Sequence, residues 1–489
     1  MRVRVASRES GLAILQARKV AEALRRAHPH VTVEFIRRSA RGDRDAIAPL
    51  WQSAEKGLFT RDLTQLLLTG DADLVVHSWK DLPAESMPGT EVAGTLKRAD
   101  PRDVLLVRRA IAASRPSHLR ILTSSPRRAW QIQRSLAELL PWSIDRIEVI
   151  PVRGNVPTRL RKLLEGQGDG LVMAKAALDR MLAEADPAER ELMRNGVDDL
   201  KWMILPLRDF PTAPAQGALA IEIAEARNDM RTLVSSISDE GTRRAVERER
   251  ARLAEHGGGC HEAIGVTVLE REYGTVVSAR GRLSDGSELR EWTLESARPL
   301  PPPADAATIW PRPDERRAAV RHPRAVTLPR DTDGWWVARA DAVPPGAQLD
   351  NGFVWAAGPR TWARLAARGI WVHGSSEGLG DTEDPAIDLL AGRPVRWCRL
   401  THGGSDAPGA IATYDVELSL PDDLPGRTHF FWTSGSAFRD ALRRFPTIRA
   451  GWHACGPGRT FRAIREALGE TDRLSVWLDY EQWLEHVRR

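Results

Sequence analysis

Asp73-Leu74-Val75-Val76-His77-Ser78-Trp79-Lys80-Asp81-Leu82-Pro83 is a short apolar run that breaks off into a charged turn. An apolar run this short, bounded by turn residues, reads as a buried strand. Lys80 and Asp81 then fall just past the strand's carboxyl end, where open α/β sheets place their ligands. They are adjacent, so neither is a helical i,i+4 partner of the other. A lone Asp facing a cleft can accept hydrogen bonds from ligand N–H groups, stabilise a developing cation and shuttle protons.

Outward from this unit, the first 235 residues alternate short strands with amphipathic helices. Val31 to Phe35 alternates with period two, and helices are predicted over Ser10 to Ala27 and Thr60 to Thr69. Strands alternating with helices predict the α/β class. A charged helical run from Thr242 to His256 leads into Gly257-Gly258-Gly259-Cys260-His261, where three glycines leave the Cys260 thiol open for attachment or reaction. Three strands follow, at Ile264 to Leu269, Thr275 to Leu283 and Glu288 to Leu294, and make a small α+β domain with that helix. Arg298 to Asp314 is Pro-rich and reads as a linker. A further α/β region begins after about Arg321.

Composition narrows the partners. Of 71 Lys and Arg residues only seven are Lys. Arg grips carboxylates and phosphates bidentately, although genome base composition accounts for such a bias equally well. A net charge of +5 with 28% charged residues argues against a general nucleic-acid binder. Cys260, Cys398 and Cys455 lie far apart with no CxxC pair, which fits a reducing cytoplasm. The chain opens on a strand pattern, Arg2 to Ala6, rather than an apolar signal core. No apolar run approaches the roughly 18 residues of a membrane span, and the twelve His form no ligand cluster, so no metal is expected.

Basic motifs recur at the predicted strand ends. Ser10, after Ser7-Arg8-Glu9, is a candidate N-cap beside Arg8. In Thr123-Ser124-Ser125-Pro126-Arg127-Arg128, Ser125 reads as an N-cap and Pro126 as the first helical residue. Arg153-Gly154-Asn155-Val156-Pro157-Thr158-Arg159 again follows a strand and opens a helix. Helix N-termini attract anions, and two in one domain suit a ligand with several carboxylates or, equally, phosphates.

In this order, Arg8/Ser10, Arg41-Gly42-Asp43, Lys56-Gly57-Leu58-Phe59, His77 to Asp81, Ser125 to Arg128, Arg153-Gly154-Asn155, Gln216-Gly217 and the Cys260 loop resemble the hydroxymethylbilane synthase (porphobilinogen deaminase) family over about Val3 to Leu294. The resemblance implies two periplasmic-binding-protein-like α/β domains around a cleft and a small α+β third domain. It implies a dipyrromethane cofactor held by a thioether to Cys260. Four porphobilinogen units would be added head to tail with loss of ammonia, and water would release the linear tetrapyrrole. Asp81 takes the catalytic place, holding pyrrole N–H groups and stabilising cationic intermediates. Lys80, Ser10, Ser125, Arg127, Arg128, Arg153 and Gly154 take cofactor-binding places. Arg8, Arg159, Arg180, Gln216 and Phe59 take substrate-binding places.

The expected domains are 1–96 with 217–238, 97–216, 239–298, a linker at 299–320, and an additional C-terminal α/β region at 321–489. The last resembles a trimmed uroporphyrinogen III synthase at Trp355 to Thr361, Phe431 to Ala437 and Cys455 to Thr460. It is either active in cyclisation or retained for packing. The chain departs from the first family's pattern at Gln52, Trp79, Leu122, Pro157 and His256, and no closing helix follows the third strand. The expected setting is a cytoplasmic monomer acting on porphobilinogen, without nucleic acid or membrane. A non-catalytic anion-binding module is the rival, and Cys260 discriminates, because a pure binder needs no presented thiol.

Overall fold

The computed structural model describes residues 1–38, 61–83, 87–256, 263–318, 320–417 and 420–489. It is mixed α/β and divides into two compact units. The first comprises 1–137, 144–268 and 278–291, and the second 138–143, 269–277 and 292–489.

Two five-stranded sheets organise the first unit, and they share one pattern of strand directions. In the first sheet Thr32–Arg38, Arg2–Arg8 and Leu74–Ser78 run parallel. Leu219–Ala224 then pairs antiparallel between Leu74–Ser78 and Thr90–Gly94. In the second, Arg146–Ile150, His118–Leu122 and Gly170–Ala174 run parallel, and Asp103–Arg108 pairs antiparallel between Gly170–Ala174 and Leu200–Ile204. Each parallel trio sends its carboxyl ends to one edge, which is where the basic motifs lie.

Apolar residues on the strands meet the helices. Val3, Val5, Leu74, Val76, Ile221 and Ile223 pack with Ala17, Val20 and Leu24 of the helix Gly11–Ala27. Each of the Val, Leu and Ile side chains contributes about 1.5–3 kcal/mol by leaving water. Trp79, a departure from the family pattern, is buried among Ala215, Ala218, Ala220 and Val246, so the larger ring is met by small neighbours.

The strands expected after residue 263 are Gly265–Arg271, Gly274–Arg282 and Glu288–Ser296, hydrogen-bonded in chain order. No α-helix lies between Ala254 and Pro359 among the described residues.

The second unit holds a four-stranded parallel sheet of Ile309–Trp310, His429–Trp432, Trp452–Cys455 and Leu474–Val476. A six-stranded sheet completes it, in the order Val320–Pro323, Ala410–Glu417, Trp397–His402, Gly334–Val337, Phe353–Ala356 and Gly374–Ser375. The Pro-rich stretch read as a linker therefore carries a strand of its own. Ile309 and Trp310 are buried, and Tyr480 donates its hydroxyl to the Pro311 carbonyl at 2.6 Å. Aromatic packing explains this: the Trp310 and Trp432 rings lie 4.7 Å apart, and proline costs nothing where no N–H is needed. Among the described residues no helix is long and apolar enough to cross a membrane, and no group of three or more His, Cys, Asp or Glu is placed to hold a metal ion.

Candidate active site

The site is built from strand ends. Beyond Arg2–Arg8, the Ser10 oxygen accepts from Ala13 N at 3.4 Å and caps the helix Gly11–Ala27. Beyond His118–Leu122, the Ser125 oxygen accepts from Arg128 N at 3.4 Å and caps Pro126–Ser135. Both hydroxyls cap as acceptors, so each keeps a proton to donate. Beyond Leu74–Ser78 the chain makes a tight 3₁₀ turn, Trp79–Asp81, which leaves Asp81 exposed. Arg250 secures this turn by donating to the Leu82 and Pro83 carbonyls.

A buried carboxylate that the sequence reading did not single out organises the cations. Asp103, 1% exposed, accepts from Arg127 Nη2 at 3.0 Å and from Arg128 Nε and Nη2 at 3.1 and 2.7 Å. Gln216 Nε2 donates to the same carboxylate at 2.8 Å, while Gln216 Oε1 accepts from Lys80 Nζ at 3.2 Å. Burial opposes the charge on Asp103, but Arg128, Arg127 and Gln216 outweigh it and hold the carboxyl well below its usual range. Around Lys80, desolvation is the largest influence and pushes its pKa down to about 8, although part of the side chain reaches solvent. Asp81 and Asp103 resist that drop; Arg128 and Arg127 add to it.

Arg127 is more committed than its expected role implies. Its Nη1 donates to Gln131 Oε1 at 2.9 Å and to the Pro211 carbonyl at 3.0 Å, and its Nη2 goes to Asp103. Arg128 is similarly engaged, adding the Val172 carbonyl at 3.3 Å. Other cations have capacity left. Arg153 makes no guanidinium hydrogen bond or ion pair among the described residues. Arg159 Nε donates to the Gly154 carbonyl at 2.7 Å, and burial followed by Arg128 pushes its pKa down against the pull of Asp81. Arg180, 7% exposed, gives Nη2 to the Gly217 carbonyl at 2.8 Å and leaves a buried Nε without a partner. Arg8 is half-buried at the end of its strand.

Two glycines are required. Gly154 has φ +111°, and a Cβ there would lie 2.5 Å from Thr158 Cγ2. Gly217 has φ +91°, and its Cβ would lie 2.6 Å from the Ala99 carbonyl oxygen. Pro157 falls in the first turn of Val156–Leu164, capped by Asn155, where a missing N–H is harmless. Leu122, buried at 1%, closes its strand.

Lys80, Asp81, Arg127, Arg128, Arg159 and Gln216 thus share one electrostatic neighbourhood. Cys260, Phe59, Gln52 and the Arg41-Gly42-Asp43 and Lys56-Gly57-Leu58 motifs lie outside the described residues. Besides Asp103, sequence reasoning missed Lys175, which is 1% exposed and pairs with Asp179 and Asp100. The available signal was Asp100-Pro101-Arg102-Asp103 at the head of the apolar strand Val104 to Val107: a charge entering a core needs a partner.

The family model "Porphobilinogen deaminase, dipyromethane cofactor binding domain" matches residues 3–232. The porphobilinogen deaminase of Syntrophus aciditrophicus is 33% identical over 288 residues, 58% of this chain and 86% of its own. That of a Roseiflexus species is 37% identical over 296 residues, 60% of this chain and 90% of its own. A probable porphobilinogen deaminase of Pyrobaculum islandicum is 34% identical over 291 residues, 59% and 89% of the two chains. With these likenesses spanning both five-stranded sheets, the chain belongs to the porphobilinogen deaminase family.

Proposed function

We infer that the chain is a hydroxymethylbilane synthase, a transferase that condenses four porphobilinogen units head to tail with loss of ammonia and releases the linear tetrapyrrole by hydrolysis. One observation carries the reading: Asp81 stands exposed and without a hydrogen-bond partner among the described residues, beside a field of Lys and Arg at strand ends.

The donor set suits a dipyrromethane cofactor. Its carboxylates need cationic donors, and Arg153, whose guanidinium has no partner among the described residues, has them to give. Its pyrrole N–H groups need an acceptor, and Asp81 is one. Lys80, Ser10, Ser125, Arg128, Arg153 and the Gly154 turn would hold it, with Arg127 acting through charge and position and Cys260 as the tether. When bound, the cofactor supplies the pyrrole end on which the chain is built. Asp81 accepts N–H hydrogen bonds at its carboxylate and stabilises positive charge that develops on porphobilinogen as ammonia leaves. Arg8, Arg159 and Arg180, with Phe59, orient the substrate's acetate and propionate groups. Gln216, expected to join them, is buried with its amide committed to Asp103, Pro101, Lys80 and Arg128, and acts only through Lys80. The proposed setting is a cytoplasmic monomer.

Intact mass tests this. The purified chain should exceed its sequence mass by two linked pyrrole units, and Cys260→Ser should not. A bare mass in both, unchanged after incubation with porphobilinogen, would favour a binding module.

For the second unit, the proposed reading is a trimmed uroporphyrinogen III synthase-like domain retained for packing. A cavity of about 370 Å³ there is lined by Arg399, Arg439, Arg459 and Arg462, but also by Asp381 and Asp406. Asp381 takes Arg459 Nε at 2.7 Å and Arg399 Nη1 at 3.2 Å, and Asp406 takes Arg439 Nη2 at 3.2 Å. Arg462 Nε goes to Glu272 Oε1 at 3.2 Å, and Glu383, Asp384 and Glu466 also line the cavity, so a polycarboxylate would have to displace internal partners beside further carboxylates. Enzymatic formation of uroporphyrinogen III from porphobilinogen by the full chain would overturn this reading.

A further inference from the structure

We propose that Asp103 is a positioning residue for the deaminase site, acting through Gln216 as a strut that fixes Lys80 against the Arg127–Arg128 pair. The inference rests on the deaminase reading for its consequence and on geometry for its existence.

The strut is continuous. Asp103 opens the strand Asp103–Arg108 in the second sheet; Lys80 lies in the turn beyond Leu74–Ser78 in the first. Gln216 stands between them, 1% exposed, and every polar atom of its amide is spent. Nε2 donates to Asp103 Oδ1 at 2.8 Å and to the Pro101 carbonyl at 2.7 Å. Oε1 accepts from Lys80 Nζ at 3.2 Å and Arg128 Nη2 at 3.4 Å. The amide can face only one way, because Asp103 must receive a donor and Lys80 must meet an acceptor. Asp103 thereby sets the orientation of the group that holds Lys80.

The charges give the strut a second effect. Lys80 is faced by Asp81 from its own turn, by Arg127 and Arg128 from the helix Pro126–Ser135, and by Asp103 from its strand. Asp103 is the shared counter-ion of both arginines. Without it, two uncompensated cations would act on an ammonium whose pKa already sits near 8. Lys80 would then lose its proton, and its grip on a carboxylate, at a lower pH than with Asp103 in place.

Full-length cofactor-loaded protein is compared as wild type, Asp103→Asn, Asp103→Glu and Gln216→Leu. The lysines are ¹³C-dimethylated, and the Lys80 signal is identified by its loss in Lys80→Arg and then titrated. Asp103→Asn and Gln216→Leu should each lower the Lys80 midpoint by about one pH unit. The alkaline limb of kcat/KM should move with it, a roughly tenfold loss above that limb. Asp103→Glu should restore most of both. Gln216→Leu leaves the Asp103–arginine pairs in place, so it reports even if Asp103→Asn fails to fold. A folded Gln216→Leu whose Lys80 midpoint and kcat/KM limb match wild type would overturn the proposal. The titration reads the strut whether or not porphobilinogen turns over, so its failure and that of the deaminase reading are told apart.

Discussion

Arg98 and Glu249 form a bidentate buried pair, with Nη1 to Oε1 at 2.6 Å and Nη2 to Oε2 at 3.0 Å. Glu249 is 0% exposed and comes from the helix Glu240–Ala254. It also accepts from Ala215 N at 2.7 Å and Val268 N at 2.8 Å, while Arg98 Nε donates to the Gln216 carbonyl at 2.8 Å. The pair therefore ties that helix to the strand entry that carries Gln216. Glu249→Ala would strand a buried guanidinium and two backbone N–H groups at once. Its expected cost is about 3–5 kcal/mol, checked by urea unfolding of the first unit. A loss under about 1 kcal/mol, the scale of an exposed pair, would mean that water or another side chain replaces Glu249.

Asp81→Ala tests the proposed catalytic carboxylate. Asp81 is exposed and makes no hydrogen bond among the described residues, so its removal should leave the melting temperature nearly unchanged. The covalent mass should also persist, while porphobilinogen turnover falls by at least about 100-fold. Normal turnover in a mass-complete variant would remove Asp81 from the chemistry.

Much of this site is legible in the sequence, because its signals are local. Ser10 and Ser125 precede helices and cap them, and strand-end arginines follow from where apolar runs stop. Gly154 and Gly217 stand where positive φ and close approach demand glycine. The pairing of the cations is not legible, because Asp103 reaches Arg127 across 24 residues and Gln216 across 113. Arg127 and Arg128 look alike as free anion-binding side chains until the fold pairs both with Asp103. The Pro-rich stretch misleads for a related reason: composition predicts a free linker, but Ile309 and Trp310 find partners more than 100 residues later.

Arg153→Leu separates binding from structure. The guanidinium has no partner among the described residues, so stability should hold to within about 0.5 kcal/mol. If Arg153 grips a carboxylate, KM should rise about tenfold or more, or the covalent mass should fail to accumulate. Unchanged KM and mass would refute the grip.

His453 gives the second unit a pH limit. It is 1% exposed; its Nδ1 accepts from Trp432 Nε1 at 3.0 Å, and its Nε2 lies 3.1 Å from the Ile448 carbonyl. These partners fix the neutral tautomer with the proton on Nε2. Desolvation drives the imidazole's pKa down to about 4, against the bond to Ile448. In the unfolded chain it returns to about 6.5, so between these values the unfolded state binds the proton and the folded state does not. The neutral ring's contribution is complete above pH 6.5 and is lost as pH falls toward 4, a change of about 3 kcal/mol. Guanidinium unfolding of the second unit, followed by tryptophan fluorescence at pH 7 and pH 4, measures it. His453→Gln keeps an acceptor for Trp432 and a donor for Ile448, and should flatten that pH dependence by the same amount. An equal slope in both proteins would place the acid sensitivity elsewhere.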